Sequence, residues 1–167
     1  PEVSCASFFA NTDLDNNQIA SFYPGAMGFA TTLSFHRLDG FRPDLAVISP
    51  NDPAAMTQYA RECRELGIPY LYDPSQQIVR LSGADLREGV EGAYALFVNE
   101  YEFDLLQKHT GLTSKEIRAS VELLVVTLGE KGAQITVKEE TYHIPVVPPA
   151  RIADPTGVGD AFRGGFL

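Results

Sequence analysis

Short apolar runs alternate with longer amphipathic stretches along most of the chain, and several of the runs consist almost wholly of apolar residues. Runs of that kind are typical of strands in a parallel sheet covered on both faces, because neither side of the strand then meets water. The pattern predicts strands at 5–9, 18–23, 45–49, 69–72, 93–98, 123–127, 134–137 and 141–146.

Helix start and stop signals lie between these strands. Pro53 in a first turn and Gly67 just past a last turn frame one helix, and Gly111 ends another. Thr113 with Glu116 three residues later is the sequence signature of a capping box. The helices are expected at about 53–66, 99–109 and 113–119. Because strands and helices alternate, the sequence predicts an α/β domain with right-handed crossovers.

Two segments depart from that alternation. The strands at 134–137 and 141–146 are close enough to form an antiparallel hairpin at the sheet edge, around Lys138-Glu139-Glu140. The polar turn at 12–17 joins two strands that no helix flanks, which predicts a small sheet projecting from the main layer. No linker divides the chain, so we expect one domain, with small-sheet strands and their connection at about 3–33 and a central α/β layer at 34–167.

Composition and charge narrow the classes of protein. With 44% hydrophobic and 21% charged residues the chain can build a core, which argues against disorder. The 22 acidic residues exceed the 13 Lys and Arg, for a formal charge of −9, which argues against non-specific nucleic-acid binding. No apolar run approaches the ~18 residues that span a bilayer, and no basic leader precedes one. We therefore expect a cytoplasmic protein with neither nucleic acid nor membrane as a partner.

The cysteines and the chain ends add two expectations. Cys5 and Cys63 lack metal-ligand spacing, so they are expected to be buried or idle free thiols. The first residue is Pro1, and the last residues are apolar with no polar tail behind them. Both ends look cut, which suggests a partial sequence.

The segment 154–165 carries the strongest chemical signal. Gly157 and Gly159 form a tight turn ahead of a helix predicted to begin near Val158. The first turn of a helix leaves backbone N–H groups without partners at the positive end of the helix dipole. Glycine lets a phosphoryl group approach that backbone closely. The turn therefore predicts an anion-binding cradle formed by the amides of Gly157, Val158 and Gly159.

Asp160 lies at the mouth of this cradle, where a carboxylate repels the anion that the amides attract. One interpretation is that Asp160 accepts a proton from a hydroxyl that attacks a phosphoryl group. The other is that it only stabilises the first helical turn, where acidic residues are favoured. Spacing alone favours neither interpretation.

Two further motifs precede the Gly-rich turn. Residues 99–102 read Asn-Glu-Tyr-Glu after a predicted strand, and residues 126–132 read Val-Thr-Leu-Gly-Glu-Lys-Gly. Together with Asp-x-x-Gly-x-Gly-Asp at 154–160, these ordered motifs resemble the ribokinase-like (PfkB) family of sugar and nucleoside kinases. The segment 9–26 also resembles the lid of bacterial members described as adenosine kinases. The resemblance implies a ribokinase-like fold, a mostly parallel sheet sandwiched by helices with a small projecting lid sheet near the N-terminus.

The resemblance also implies roles for particular residues. It makes Asp160 the catalytic base and the amides of Gly157, Val158 and Gly159 the anion hole. It implies that Asn99 and Glu102 hold Mg²⁺ through water, that Thr127 and Gly129 contact ATP, and that Asp154 belongs to a monovalent-cation site, for K⁺, which some members carry. From the residues alone, Glu102 also fits a solvated helix face, and Asp154 before Pro155 also fits an ordinary turn starter.

Two further residues each allow two interpretations. Arg163, one turn past Gly159, can reach a phosphate of the nucleotide or stay exposed. Asp73, at the end of the strand 69–72, lies where ligands gather in open α/β sheets, but a carboxylate there is also typical of a plain turn.

The expected activity is transfer of the γ-phosphoryl of ATP to a primary hydroxyl of an adenosine-like nucleoside. The alternatives are a kinase of a free sugar such as ribose or fructose, and a non-catalytic nucleotide- or sugar-binding module. Asp160 favours an enzyme, since a pure binder gains nothing from that carboxylate. A homodimer through the lid strands is a further expectation, with Phe22 and Tyr23 covering a purine, packing the small sheet or packing between lids. The partial chain alone is expected to be inactive.

Overall fold

A two-stranded antiparallel sheet stands apart from the main sheet near the N-terminus. The computed structural model describes residues 3–13, 18–150 and 156–167. Strand β1 (Ser7–Thr12) pairs with β2 (Gln18–Tyr23), with Thr12 opposite Gln18. The predicted small sheet is confirmed, but β1 is shifted from the predicted 5–9, because backbone pairing with β2 outweighs the polar character of residues 11 and 12.

Six strands form the central sheet, in the order β3-β4-β5-β6-β7-β8. The first four are parallel, and β7 and β8 add an antiparallel hairpin at one edge, as predicted. Each strand lies within two residues of its predicted bounds. The strands are β3 (Ala46–Ile48), β4 (Tyr70–Tyr72), β5 (Ala95–Asn99), β6 (Leu123–Thr127), β7 (Ala133–Val137) and β8 (Glu140–Ile144).

Among the described residues, five α-helices accompany the sheet, four of which the sequence predicts. Asp52 caps the first, whose Pro53 is the first helical residue, and Gly67 ends it in the left-handed conformation with φ 63°. Short 3₁₀ turns occur at Gly25–Thr32, Phe35–Arg37, Ser75–Val79 and Gly129–Lys131. The helices are α1 (Pro53–Leu66), α2 (Gly83–Val90), α3 (Glu100–Thr110), α4 (Ser114–Ser120) and α5 (Val158–Phe166).

The middle strands are buried on both faces, as their continuous apolar sequence predicts. In β5, Leu96 and Val98 point into the larger core, whereas Ala95 and Phe97 point into a smaller one on the opposite face. The larger core is shared with α1 to α4. Burial of successive side chains in opposite directions fixes the register of these strands, because a slip by one residue would exchange the two sets.

Helix α5 lies against the smaller core. The Phe97 ring packs against Phe162 and Phe166, with ring centroids 6.5 and 5.1 Å apart respectively. Such tilted and edge-to-face contacts are favourable arrangements of aromatic rings. This aromatic cluster fixes which face of α5 meets the sheet, and thereby the position of the Gly-rich turn.

The two cysteines are free thiols. Cys5 is exposed and Cys63 is buried, and burial raises the pKa of the Cys63 thiol to about 11. None of the helices in the part of the chain that the structure describes is long and apolar enough to cross a membrane.

Candidate active site

Three polar residues meet at one edge of the central sheet. Because β4, β5 and β6 are parallel, their carboxyl ends lie on the same side. Asp73 follows β4, Asn99 ends β5, and Thr127 ends β6 directly opposite Asn99. The carboxyl edge of an open α/β sheet is where ligands commonly bind.

Asn99 and Glu102 are joined in a capping box at the start of α3. The Asn99 side-chain oxygen accepts from the Glu102 amide at 2.8 Å, and Glu102 Oε2 accepts from the Asn99 amide at 2.8 Å. The other carboxylate oxygen, Oε1, accepts from the Ser75 hydroxyl at 3.3 Å. Ser75 has a positive φ of 40°, which is uncommon for a residue other than glycine. The box therefore fixes the Glu102 carboxylate beside the cleft rather than on a free helix face.

The N-terminus of α5 faces the same region. Gly157 is its N-cap with φ 77°, and no side chain caps the helix. The first amides of a helix have no intrahelical acceptor, so those at this end remain directed outward. A Cβ atom added at Gly157 or Gly159 would meet nothing within 4 Å. The backbone here borders open space, as the predicted anion cradle requires.

These elements enclose a cleft of about 250 Å³. It brings together most of the residues that the sequence singles out, from four segments far apart in the chain. Its lining residues are Asp73, Ser75, Gln76, Phe97, Val98, Asn99, Glu102, Thr127, Gly157, Val158, Gly159, Asp160 and Phe162.

A second, more apolar cleft of about 360 Å³ adjoins the first. Thr127, Val158 and Gly159 border both clefts, whereas Gly129 borders only the second. Residues 144–147, the last residue of β8 and the three that follow it, supply much of its apolar wall. The start of α5 therefore separates a polar cleft from an apolar one.

Arg163 lies between two carboxylates. Its Nη2 donates to Asp160 Oδ1 at 2.6 Å, and its Nη1 donates to Asp73 Oδ2. Burial lowers the pKa of the Arg163 guanidinium, which nevertheless stays charged because arginine ionises far above neutral pH. Its side chain is only 12% exposed, so the interpretation of Arg163 as a plainly exposed residue is wrong.

One predicted residue, Asp154, lies outside the described residues, and several residues that line the cleft were not predicted. Ser75, Gln76 and Phe97 line the cleft without having been singled out from the sequence. Ser75 and Gln76 follow the strand-ending Asp73 closely, so the rule that ligands gather at carboxyl ends of strands could have found them. Phe97 reads as an ordinary core residue, and only its place beside α5 brings it to the cleft.

The described residues, 3–13, 18–150 and 156–167, contain no group of three or more His, Cys, Asp or Glu side chains arranged to hold a metal ion. Among these residues, Glu102 is one of three carboxylate residues that line the cleft, with Asp73 and Asp160, and its Oε1 is not used in the capping box.

The fold and the residues of the cleft agree with a match to a known protein family. The model of the pfkB family of carbohydrate kinases matches residues 9–167, and the chain belongs to that family. The family membership and ribokinase-like fold that the motifs indicate are thus confirmed.

Among proteins of known structure, the chain is similar to a nucleoside kinase of Burkholderia thailandensis in complex with inosine. The two are 39% identical with a TM-score of 0.93, over 99% of this chain and 55% of the other. A nucleoside kinase of Methanocaldococcus jannaschii, also solved, is 30% identical with a TM-score of 0.90. By sequence alone, the Methanocaldococcus jannaschii nucleoside kinase is 31% identical over 93% of this chain and 50% of its own length. The chain thus spans about half the length of the relatives it matches.

Proposed function

We propose that the protein containing this chain is an ATP-dependent kinase that phosphorylates a primary hydroxyl of a nucleoside. One observation carries the proposal: Asp160, the amide-rich start of α5 and the Asn99–Glu102 pair line a single cleft. Phosphoryl transfer needs a base near the hydroxyl, donors around the moving group and a site for a cation. Each of these requirements has a residue to meet it in that cleft.

In this proposal Asp160 takes the proton from the acceptor hydroxyl while the hydroxyl oxygen bonds to the γ-phosphorus. The bond from that phosphorus to the oxygen bridging to the β-phosphate breaks, and ADP leaves. The amides of Gly157, Val158 and Gly159 stabilise the charge on the transferring group. Thr127 and Gly129 contact the nucleotide, whose base and ribose extend toward the apolar cleft. A Burkholderia thailandensis nucleoside kinase has been solved in complex with ADP-inosine, which supports ATP as the phosphoryl donor.

Mg²⁺ is the cation that this donor set fits, because carboxylate and amide oxygens with water are ligands that Mg²⁺ prefers. Glu102 and Asn99 would hold it through water. Once bound, the ion would neutralise charge on the phosphates. A monovalent cation near Asp154 remains a second element of the proposal.

For the acceptor we propose a purine nucleoside, with adenosine and inosine as the first to test. Inosine is bound by the Burkholderia thailandensis relative. Strands β1 and β2 carry exposed aromatic side chains on both faces: Phe8 pairs with Phe22 on one, and Phe9 and Tyr23 lie on the other. One face could stack on a purine and the other meet a second copy of the chain, as the proposed lid homodimer requires.

The decisive variant is Asp160→Asn in the full-length protein. Without a carboxylate base, kcat should fall by roughly 10²-fold or more, whereas ATP should still bind. Asp104→Asn, the same change at an exposed position of α3, serves as the control and should leave kcat unchanged. An unaltered kcat in Asp160→Asn would remove the base from the proposal.

The same assay on different acceptors separates the classes of substrate. Adenosine, inosine, cytidine, ribose and fructose should be compared by kcat/KM with ATP as donor. Purine nucleosides should exceed the free sugars. Preference for ribose or fructose would indicate a sugar kinase, and binding without turnover of any acceptor would indicate a non-catalytic module.

A further inference from the structure

Arg163 bridges two acidic residues that lie 87 positions apart in the sequence, Asp73 and Asp160. Their exposure differs sharply. The side chains of Arg163 and Asp73 are 12% and 14% exposed, whereas that of Asp160 is 75% exposed. The arrangement therefore has an enclosed end at the sheet and an open end at the cleft.

The enclosed end is firmly anchored. The Asp73 backbone N–H donates to the Ile48 carbonyl at 2.9 Å, which continues the pairing of β3 with β4. On the other side, the packing of Phe162 and Phe166 on Phe97 fixes the helix that carries Arg163. Both backbones that meet at the Arg163–Asp73 pair are thus held by the main sheet.

An i,i+3 ion pair on an exposed helix contributes little to stability, because both side chains are free to move. The Arg163–Asp160 pair differs from that case, since Asp73 already holds the guanidinium. Asp73 binds one nitrogen, Nη1, and because the guanidinium is planar the other nitrogen, Nη2, is carried in a fixed geometry relative to it toward Asp160. The Asp160 carboxylate meets a donor whose position is set before any substrate arrives.

We propose that Arg163, anchored by Asp73, is a positioning residue that orients the Asp160 carboxylate toward the acceptor hydroxyl. The inference rests on the proposed function. Arg163 occupies Oδ1 of Asp160, so Oδ2 is the oxygen that takes the hydroxyl proton. A base must lie within hydrogen-bond reach of its proton, and small errors in its direction are costly to the rate. Asp73 acts only through Arg163.

Binding of a nucleotide phosphate by Arg163 is the competing role, and its consequences differ. A phosphate ligand contributes to ATP affinity whether or not Asp160 is a carboxylate. A positioning residue loses its purpose once the base is gone. The two roles can therefore be separated in an Asp160→Asn background.

The test uses the full-length protein and steady-state kinetics with ATP and adenosine or inosine. Arg163→Gln should lower kcat by roughly 10- to 100-fold while KM for ATP changes by about twofold or less. Arg163→Lys should recover part of the loss. Asp73→Asn should lower kcat in the same direction, and Asp73→Asn with Arg163→Gln should be no worse than Arg163→Gln alone. Arg118→Gln, at an exposed arginine of α4, is the control and should match the unmodified protein.

The Asp160→Asn background decides between the roles. There, Arg163→Gln should cause no further loss of kcat. A raised KM for ATP that persists in that background would overturn the proposal in favour of a phosphate ligand, and an unchanged kcat in Arg163→Gln would overturn it outright.

If Arg163→Gln does not fold, the isosteric Asp73→Asn decides: a lower kcat with unchanged KM supports the proposal, and an unchanged kcat overturns it. Failure of Asp160→Asn itself to lower kcat would instead refute the proposed function.

Discussion

The Glu102 side chain both caps helix α3 and borders the cleft. Its Oε2 completes the capping box of α3, and its Oε1 meets the Ser75 hydroxyl at the border of the cleft. The capping bond removes the freedom that a glutamate on a helix surface ordinarily has. A carboxylate held in this way can meet a hydrated cation without a large loss of side-chain entropy.

Replacing Glu102 by Gln should raise the Mg²⁺ concentration needed for half-maximal rate by roughly tenfold or more, because a neutral amide attracts a hydrated cation less strongly. Glutamine still accepts at this position of a capping box, so α3 should persist. The measurement is the initial rate against Mg²⁺ concentration at saturating ATP and nucleoside.

Glu116→Gln is the matched control, since Glu116 has the same place in the capping box of α4 and lies outside the cleft. The Mg²⁺ concentration that gives half-maximal rate should be the same in Glu116→Gln as in the unmodified protein. If the curves of rate against Mg²⁺ concentration were equal for both variants and the unmodified protein, the role of Glu102 would be purely structural.

At the scale of elements, the start of α3 is also a wall of the cleft. Asn99 ends β5 and caps α3 in one step, so strand, helix and site share a single residue. The Asn-x-x-Glu spacing has a structural cause in the capping box, independent of any ligand. Its position at the carboxyl edge of β5 is what makes the same spacing available for chemistry.

Asn99→Ala should lower the free energy of unfolding by about 1 kcal/mol, the usual effect of losing an N-cap, and should also lower kcat. Thr113→Ala removes the equivalent cap of α4 and should lower stability by a similar amount with kcat unchanged. Denaturant unfolding and steady-state kinetics on the same preparations check both. If the two variants lost activity equally, the effect of Asn99 would be one of stability alone.

Helix α2 illustrates an element that the sequence did not predict. Ser82 and Asp85 form a capping box, but glycines at its first and seventh positions weaken the helical signal. The structure explains the second of them. A Cβ atom at Gly89 would lie 2.2 Å from the Tyr72 ring, so the glycine permits close packing of α2 on β4. Tertiary contact here outweighs local propensity.

At the scale of the whole molecule, Glu62 joins α1 to the segment that follows strands β1 and β2. Its carboxylate accepts from the Ser34 hydroxyl at 2.8 Å, the Phe35 amide at 2.7 Å and the Gln58 side chain at 2.9 Å. Burial alone would raise the pKa of Glu62, but these hydrogen bonds outweigh burial and the pKa is lowered. The ionised form therefore stabilises the folded state.

This lowered pKa predicts a dependence of stability on pH. The contribution of Glu62 is complete above its unfolded pKa of about 4.3, and it is lost as pH falls through the lower folded pKa. Glu62→Gln should cost about 1–3 kcal/mol at neutral pH, and its stability should fall less steeply below pH ~4.5. Urea unfolding at a series of pH values measures both effects.

Glu139→Gln, at an exposed position in the turn between β7 and β8, is the control and should follow the unmodified protein at every pH. Parallel stability curves for Glu62→Gln and the unmodified protein would mean that Glu62 does not carry the acid sensitivity.

The sequence by itself determined the order of most elements and the residues most worth testing. Apolar runs specify buried strands because desolvation acts on each residue locally, and caps such as Asp52 and Thr113 specify helix ends through bonds spanning three residues. The motifs at 99–102, 126–132 and 154–165 indicated the family for the same reason, since each is contiguous in the chain.

Only the tertiary structure decided which distant groups meet. The pairing of Arg163 with Asp73, the support of Glu102 by Ser75 and the place of Phe97 beside α5 all join segments that are separate in sequence. No local pattern encodes them, because they depend on the order of strands in the sheet and on which face of α5 packs against it. Once the parallel strands place their carboxyl ends side by side, residues at the ends of β4, β5 and β6 share one cleft with the start of α5.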